Sequence, residues 1–230
     1  MKLVLFDIDG TLLSSEGAGM RAMRAALTEL FGTMGDPAYR YDGKTDKQIV
    51  RDLMRGHGHD DAYIDQRMDS LLELYLEGLE REVRSGERIP RTLPGIPELL
   101  DELEGAEDVT LGLLTGNIEA GAKVKLAAAG VDFRRFRVNA FGSDHEHRPE
   151  LPAVAQRRAA GVLGRELGGA AIYVIGDTPA DISCGEAIGA RAIGVATGHF
   201  SVDELRRHDP YAVFENLAET GAVLSAILDG

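Results

Sequence analysis

Lys2-Leu3-Val4-Leu5-Phe6-Asp7-Ile8-Asp9-Gly10-Thr11 is the stretch that decides how this chain is read. An apolar run ending in two carboxylates, a Gly and a Thr predicts a buried strand that delivers acids to its C-terminal edge. Side chains two apart on a strand face the same way, so extended geometry carries Asp7 and Asp9 towards one place. Two anions that close repel each other unless a cation, or a proton kept on one of them, relieves the repulsion. Taken alone, the Asp-Gly pair also reads as a solvated turn, so its meaning depends on the rest of the chain.

Three later stretches supply that context. Val109-Thr110-Leu111-Gly112-Leu113-Leu114 is a second apolar run, ending in Thr115-Gly116-Asn117. Ala171-Ile172-Tyr173-Val174-Ile175 is a third, ending in Gly176-Asp177-Thr178-Pro179-Ala180-Asp181. Between them Arg148-Pro149 opens a helical pattern. Strand-acid, strand-Thr, basic helix start and strand-Gly-Asp in this order resemble the haloacid dehalogenase-like (HAD) phosphohydrolase superfamily over nearly the whole chain. The third element departs from the usual pattern, since most members carry Lys where this chain has Arg148.

Composition narrows the partners. At 230 residues and 44% hydrophobic content, the chain can bury one substantial core, or one core and a smaller domain. A net charge of −13 argues against nucleic acid and anionic membranes as partners. A phosphate compound would have to be captured by local positive charge and a metal ion. The lone Cys184 excludes an internal disulfide framework and fits a reducing, cytoplasmic setting. The N-terminal apolar run is too short for a signal peptide. No apolar stretch reaches the ~18 residues of a membrane span.

Periodicity organises the chain into two parts. Residues 16–31 carry Met20, Met23, Leu27, Leu30 and Phe31 at helical spacing; 46–54 form a second helix and 60–83 a longer third. The stripe of Met68, Leu71, Leu72, Tyr75 and Leu79 on that third helix reads as core packing. From Pro94-Gly95 onward helices and strands alternate: helix 96–104, strand 109–114, helix 119–129, strand 137–141, helix 150–167, strand 171–175, helix 180–188, strand 191–196, a short 213–214 edge and helix 216–228. Such alternation predicts an α/β, doubly wound parallel sheet, in which ligands sit beyond the carboxyl ends of the strands. The expected organisation is a core of 1–13 plus 91–230 with an inserted α-helical unit at 14–90; the resemblance makes that unit a cap.

The resemblance implies a Mg²⁺-dependent phosphatase that hydrolyses a small organic phosphate monoester through an aspartyl-phosphate, most like the phosphoglycolate phosphatase group. It gives Asp7 the role of nucleophile and Asp9 that of general acid and base, with its main-chain carbonyl on the metal. Asp177 is the remote metal ligand, and Asp181 ligates directly or through water. Thr115, Gly116 and Asn117, with Gly10 and Thr11, cradle the phosphoryl group, helped by the helix that begins near Glu119. Arg148 stands where the family's Lys neutralises nucleophile and phosphate; Arg does the charge work with a longer, planar group. Lys125 is the alternative cation.

Alternatives of other kinds remain at this point. A phosphomutase of the same fold would transfer the phosphoryl group to a second hydroxyl, and a non-catalytic binding member would keep the fold without turnover. A dehalogenase proper is disfavoured, because releasing a halide needs no acid such as Asp9. Specificity is expected from the insert: within Tyr41-Asp42-Gly43-Lys44-Thr45-Asp46, Lys44 or Thr45 should reach the leaving group. A zinc site at His57/His59 or His145/His147 is disfavoured, since both pairs lie in loop-like sequence. The chain is expected to act as a monomer or homodimer.

Overall fold

The computed structural model describes residues 1–86 and 89–230. In chain order the elements are β1 (Lys2–Phe6), β2 (Leu13–Ser14), α1 (Ala18–Phe31), α2 (Asp46–Gly56), α3 (Asp61–Arg84), β3 (Arg91–Thr92), α4 (Ile96–Gly105), β4 (Val109–Thr115), α5 (Glu119–Ala128), β5 (Val138–Phe141), α6 (Leu151–Leu163), β6 (Ile172–Gly176), α7 (Pro179–Cys184), β7 (Arg191–Val195), α8 (Val202–Arg206), β8 (Ala212–Phe214) and α9 (Thr220–Leu228).

Six strands form one parallel sheet in the order β5-β4-β1-β6-β7-β8. The three strands that carry the motifs are therefore neighbours, with β1 between β4 and β6. Because all three run the same way, residues 7–11, 115–117 and 176–181 emerge on one edge. Alternation along β1 explains the two layers. Val4 and Phe6 point to one face and pack with α4, α5 and α9 through Leu99, Leu126 and Val223. Leu3 and Leu5 point to the other and pack with α6 through Leu151, Ala155 and Ala159.

The helices between β1 and β4 bury their own cluster. Met23 and Leu27 of α1, Ile49 and Leu53 of α2, and Ile64, Leu71 and Leu79 of α3 pack together, joined by Ile118 from the loop after β4. A short antiparallel pair, Leu13↔Thr92 and Ser14↔Arg91, ties the two chain crossings between this helical unit and the sheet. Periodicity does not announce that pair, which is only two residues long on each side. Nor does it announce α8, whose five residues are too few to show a period; a Ser201 capping box starts it.

Three helices are shorter than their apolar spacing predicts. The 150–167 pattern ends at Leu163, because Gly164 turns left-handed at φ 67°. The 180–188 pattern stops at Cys184 and continues only as a 3₁₀ turn, Glu186–Ile188. The last helix starts at Thr220, since Asn216 is drawn into a local turn by accepting from Ala218 N at 2.9 Å. No described helix is long and apolar enough to cross a membrane.

Gly112, at the middle of β4, is held by close approach: a Cβ there would overlap the Val138 carbonyl oxygen and lie 2.7 Å from Leu5 Cδ2. Gly112→Ala must therefore spread β4 from β5 within the sheet. It should lower stability by about 2 kcal/mol, read as a shift in urea midpoint at unchanged m-value.

Candidate active site

Asp7 follows β1 directly, and its N–H donates to the Ile175 carbonyl of β6 at 2.9 Å. That bond continues the sheet by one residue and places the Asp7 carboxylate at the strand edge, where it is only 6% exposed. Asp177 and Asp181 reach the same place from the loop after β6 and the first turn of α7. One carboxylate oxygen from each of Asp7, Asp177 and Asp181 lies within 4.8 Å of the others.

A single guanidinium enters this group. Arg148, buried in the 3₁₀ turn before α6, bonds Asp181 Oδ1 and sets its Nη2 3.3 Å from Asp7 Oδ1. Asp7 Oδ1 receives no hydrogen bond even so. The other Asp181 oxygen accepts from Thr178 N at 2.9 Å and Thr178 Oγ1 at 2.7 Å, in the capping box that starts α7. Both Asp181 oxygens are thus engaged; the residue anchors Arg148 and the loop. Burial works against Arg148's charge, but Asp181 and Asp7 hold the guanidinium firmly protonated.

The electrostatics fit a hard cation. Burial pushes the Asp177 carboxyl up to about 9, helped by Asp181 and Asp7 and opposed by Arg148. Burial likewise raises Asp7 to about 6; Arg148 pulls it down, while Asp181 and Asp9 add to the rise. Three converging buried carboxylates, one guanidinium and an unbonded Asp7 oxygen make an all-oxygen site suited to a divalent metal such as Mg²⁺. Asp177 is walled tightly: a Cβ on Gly10 or on Gly198 would overlap its carboxylate.

Asp9 belongs to a second cluster. Its Oδ2 accepts from Lys125 Nζ at 2.6 Å and Asn117 Nδ2 at 2.9 Å, and Lys125 also donates to Asn117 Oδ1 at 2.6 Å. Asn117 Nδ2 reaches Thr115 Oγ1 at 2.8 Å as well. Burial alone would raise the Asp9 pKa, but Lys125's charge and hydrogen bond, with bonds from Ser15 and Asn117, outweigh it and lower it. Lys125 is 4% exposed, so the two cations divide the carboxylates: Arg148 takes Asp7 and Asp181, Lys125 takes Asp9.

The remaining expected site residues fall into two groups. Thr115, Gly116 and Asn117 line a cavity of about 190 Å³ together with Asp7, Asp9 and Arg148. Gly116 is squeezed beneath the helical insert, where a Cβ would overlap the Lys44 carbonyl oxygen. Thr11 instead supports the acid cluster from below, being fully buried and donating to Asp177 Oδ1 at 3.3 Å. Gly10 gives Asp177 room and, at φ 81°, turns the chain.

Lys44 and Thr45, expected to reach a leaving group, both have partners within the protein. Thr45 is fully buried; its Oγ1 donates to the Glu146 carbonyl at 2.5 Å and accepts from Gln48 N as the N-cap of α2. Lys44 borders the cavity, and its Nζ lies over the Tyr39 ring and bonds Tyr39 Oη at 2.7 Å and Asp52 at 3.3 Å. The neighbouring Asp46 holds a place that its sequence context does not announce. It clips the insert to the core, donating from N to the Gly116 carbonyl and accepting from Ile118 N at Oδ2, each at 2.8 Å. Its only sequence signal is an acid at the first turn of a helix. His59 stacks on Tyr63 and His145 accepts from His147 N, and neither pair joins a metal-binding group among the described residues.

The fold and the paired clusters define a hydrolase with a carboxylate-lined, metal-ready pocket at the sheet edge. Residues 4–186 match the model for haloacid dehalogenase-like hydrolases, and the chain belongs to that family. It is 27% identical to the probable phosphatase IndB of Dickeya dadantii, over 98% of this chain and 94% of that protein. It is 28% identical to a 5'-nucleotidase of Pseudomonas aeruginosa, over 97% and 95%. Among solved structures it resembles a hydrolase from Pseudomonas syringae (TM-score 0.74, 23% identity, 99% of both chains). It also resembles CbbY from Rhodobacter sphaeroides in complex with phosphate (TM-score 0.73, 20% identity, 96% of both chains).

Asp177 and Asp7 have folded pKa values above the ordinary 3.8, so ionising them costs the folded state. Between the unfolded value and about 9 the unfolded chain is the better acid at Asp177, and metal-free stability falls as pH rises through that window. A cation competes with these protons, so the Mg²⁺-induced rise in Tm should grow from pH 6 to pH 8. Asp177→Asn should raise the metal-free Tm at pH 8 and remove most of the Mg²⁺ increment. Thermal melts with and without chelator check both.

Proposed function

We propose that this hydrolase is a Mg²⁺-dependent phosphatase for small organic phosphate monoesters, working through an aspartyl-phosphate on Asp7. The observation that carries the reading is Asp7 itself: a buried carboxylate with one unbonded oxygen, bordering a cavity also lined by Thr115, Gly116 and Asn117. Mg²⁺ would be held by Asp7, Asp177 and the main-chain carbonyl of Asp9, and would screen the charge of nucleophile and phosphoryl group. The names of the two curated relatives support a phosphatase as well.

In this reading an Asp7 oxygen forms the bond to phosphorus while the ester P–O bond breaks. Asp9 gives its proton to the departing alkoxide. A water then attacks phosphorus, passes a proton to Asp9, and frees phosphate and the Asp7 carboxylate. Lys125 holds Asp9 ionised before substrate arrives, as its short bond and Asp9's lowered pKa support. An arriving phosphoryl group competes for that ammonium, which lets Asp9 take up the proton it must donate. Arg148 fixes Asp7 against Asp181 and offsets charge beside the nucleophile. The helical insert 14–90 acts as the cap over a core of 1–13 plus 91–230; its clip at Asp46 closes the pocket above 116–118.

Phosphate release from p-nitrophenyl phosphate in the presence of Mg²⁺ tests the assignment. Chelation should abolish turnover and Mg²⁺ restore it. Asp7→Asn should reduce kcat at least ~10²-fold, because an amide is no nucleophile. Near-native turnover in that variant would refute the aspartyl-phosphate route.

The two cations are separable by the same assay. Arg148→Ala should lower kcat by roughly 10- to 10³-fold, the scale of a lost electrostatic clamp. Lys125→Ala should be milder in kcat. A larger loss in Lys125→Ala than in Arg148→Ala would transfer the clamp to Lys125.

A further inference from the structure

Converging carboxylates repel one another, so something must keep Asp177 from backing away from Asp7. Asp7, Asp177 and Asp181 each place one oxygen within 4.8 Å of the others. Asp181 is fastened through both oxygens, and Asp7 stands at its strand end with Arg148 Nη2 3.3 Å away. Asp177 accepts from Thr11 Oγ1 at 3.3 Å, which is long for a hydroxyl donor. That bond is a weak tether for a carboxylate under repulsion.

The stronger restraint comes from a loop outside the four motifs. Strand β7 lies beside β6 in the parallel sheet, so the residues after it reach the same edge as Asp177. Asp177 borders both the cavity shared with Asp7 and the adjoining groove, whereas Gly10, Thr197 and Gly198 border only the groove. The groove is thus the direction of retreat, and two glycines block it. A Cβ on Gly198 or on Gly10 would overlap Asp177 Oδ2, so main chain backs that oxygen on two sides.

These glycines belong to different loops, and one hydrogen bond joins them. Thr197 Oγ1 donates to the Gly10 carbonyl. Each loop is also anchored elsewhere: Gly10 N donates to Leu13 O at 2.9 Å, and Ala196 N donates to Phe214 O of β8 at 2.9 Å. On its far side the second loop meets the helical insert, where His199 Nδ1 lies 2.8 Å from Asp42 Oδ1. For Asp177 to move into the groove the two loops must part, and the Thr197 bond opposes that.

We infer that Thr197 is a positioning residue for the divalent metal: by tying the 196–199 loop to Gly10 it holds Asp177 towards Asp7 and sizes the site for a small cation. This inference rests on the metal-dependent reading above and extends it to a residue that no motif marks. Mg²⁺ demands octahedral oxygens at about 2.0–2.1 Å, whereas Ca²⁺ takes them at about 2.3–2.6 Å in looser geometry. A carboxylate that cannot retreat suits the smaller ion and crowds the larger one.

Calorimetric titration of the full chain with Mg²⁺ alone and with Ca²⁺ alone tests this, beside metal-free melts. Thr197→Val keeps the shape of the side chain and removes the donor; Thr197→Ser keeps the donor. Thr197→Val should weaken Mg²⁺ binding by roughly 10- to 100-fold, the range for losing the support of a metal ligand. Ca²⁺ should be weakened less, so the preference for Mg²⁺ over Ca²⁺ falls by about tenfold. Thr197→Ser should restore both affinity and preference. A Thr197 that merely stabilises its loop predicts a lower metal-free Tm with the preference unmoved; that result overturns the inference, as does an unchanged Mg²⁺ Kd. Gly198→Ala aims a methyl at the Asp177 carboxylate and should weaken Mg²⁺ at least as far, so it carries the test if Thr197→Val does not fold. Parent-like Mg²⁺ binding in Gly198→Ala also overturns the inference. Parent-like Mg²⁺ binding in these variants beside Mg²⁺-dependent turnover of p-nitrophenyl phosphate by the parent overturns this inference alone. A parent chain that binds no Mg²⁺ overturns the metal-dependent reading along with it.

Discussion

Negative charge gathered at the end of a parallel sheet is the constraint around which the rest of the site is arranged. Three neighbouring strands run the same way, so whatever follows them is delivered to one edge. Here that delivers Asp7 and the Asp177–Asp181 loop into a volume shielded from water. Like charges in a poorly solvated space raise each other's pKa, and Asp177 shows it most. Much of the local architecture answers this repulsion. Thr178 fastens one Asp181 oxygen at the start of α7, Arg148 fastens the other, and Thr11 donates to Asp177. What these donors leave uncompensated is what a divalent cation would neutralise.

The use of two cations follows from the same constraint. A guanidinium remains charged when buried and can address two carboxylates from one planar group, which suits the gap between Asp7 and Asp181. Its length and planarity tie it to that gap and keep it off Asp9. An ammonium is compact and offers three donors in any direction, which suits Lys125 between Asp9 and Asn117. The placement of Lys125 on α5 explains why it sits there: α5 begins just past the Thr115–Asn117 turn, and its second turn carries the side chain back under Asp9. Arg148 therefore compensates Asp7 and Asp181, while Lys125 compensates a different acid.

Most of the fold is legible in the sequence because period and order are strong signals. Runs such as 109–114 and 171–175 alternate with amphipathic helices, and that pattern has few solutions other than a parallel sheet with helices on both faces. Elements without a period are not legible: the two-residue pair at 13–14 and 91–92 exists through long-range pairing, and α8 through a local capping box. Helix ends depart from expectation where a left-handed Gly164 or the turn at Asn216 overrides apolar spacing. In the site, residues on strand ends come together as expected, since strand geometry dictates where they go. The insert loop has no such rule: Thr45 caps α2, and Lys44 borders the cavity while its ammonium turns to Tyr39 and Asp52.

Lys44 and Thr45 show how much a residue type leaves open in such a pocket. A residue type indicates which bonds a side chain is able to make; only the folded neighbourhood says which it has already made. Thr45 and Lys44 are chemically apt for a substrate yet have satisfied themselves within the protein. Tyr75 sits in a stripe of Met and Leu whose spacing is that of ordinary core, and it does pack as core along its ring. Tyr75 also borders the cavity that Asp7, Thr115 and Arg148 line. Apolar spacing on α3 is set by packing against α1 and α2, and one polar atom at the end of a buried ring does not disturb it. A residue that borders the pocket thus sits inside a packing pattern, and apolar spacing alone does not announce it.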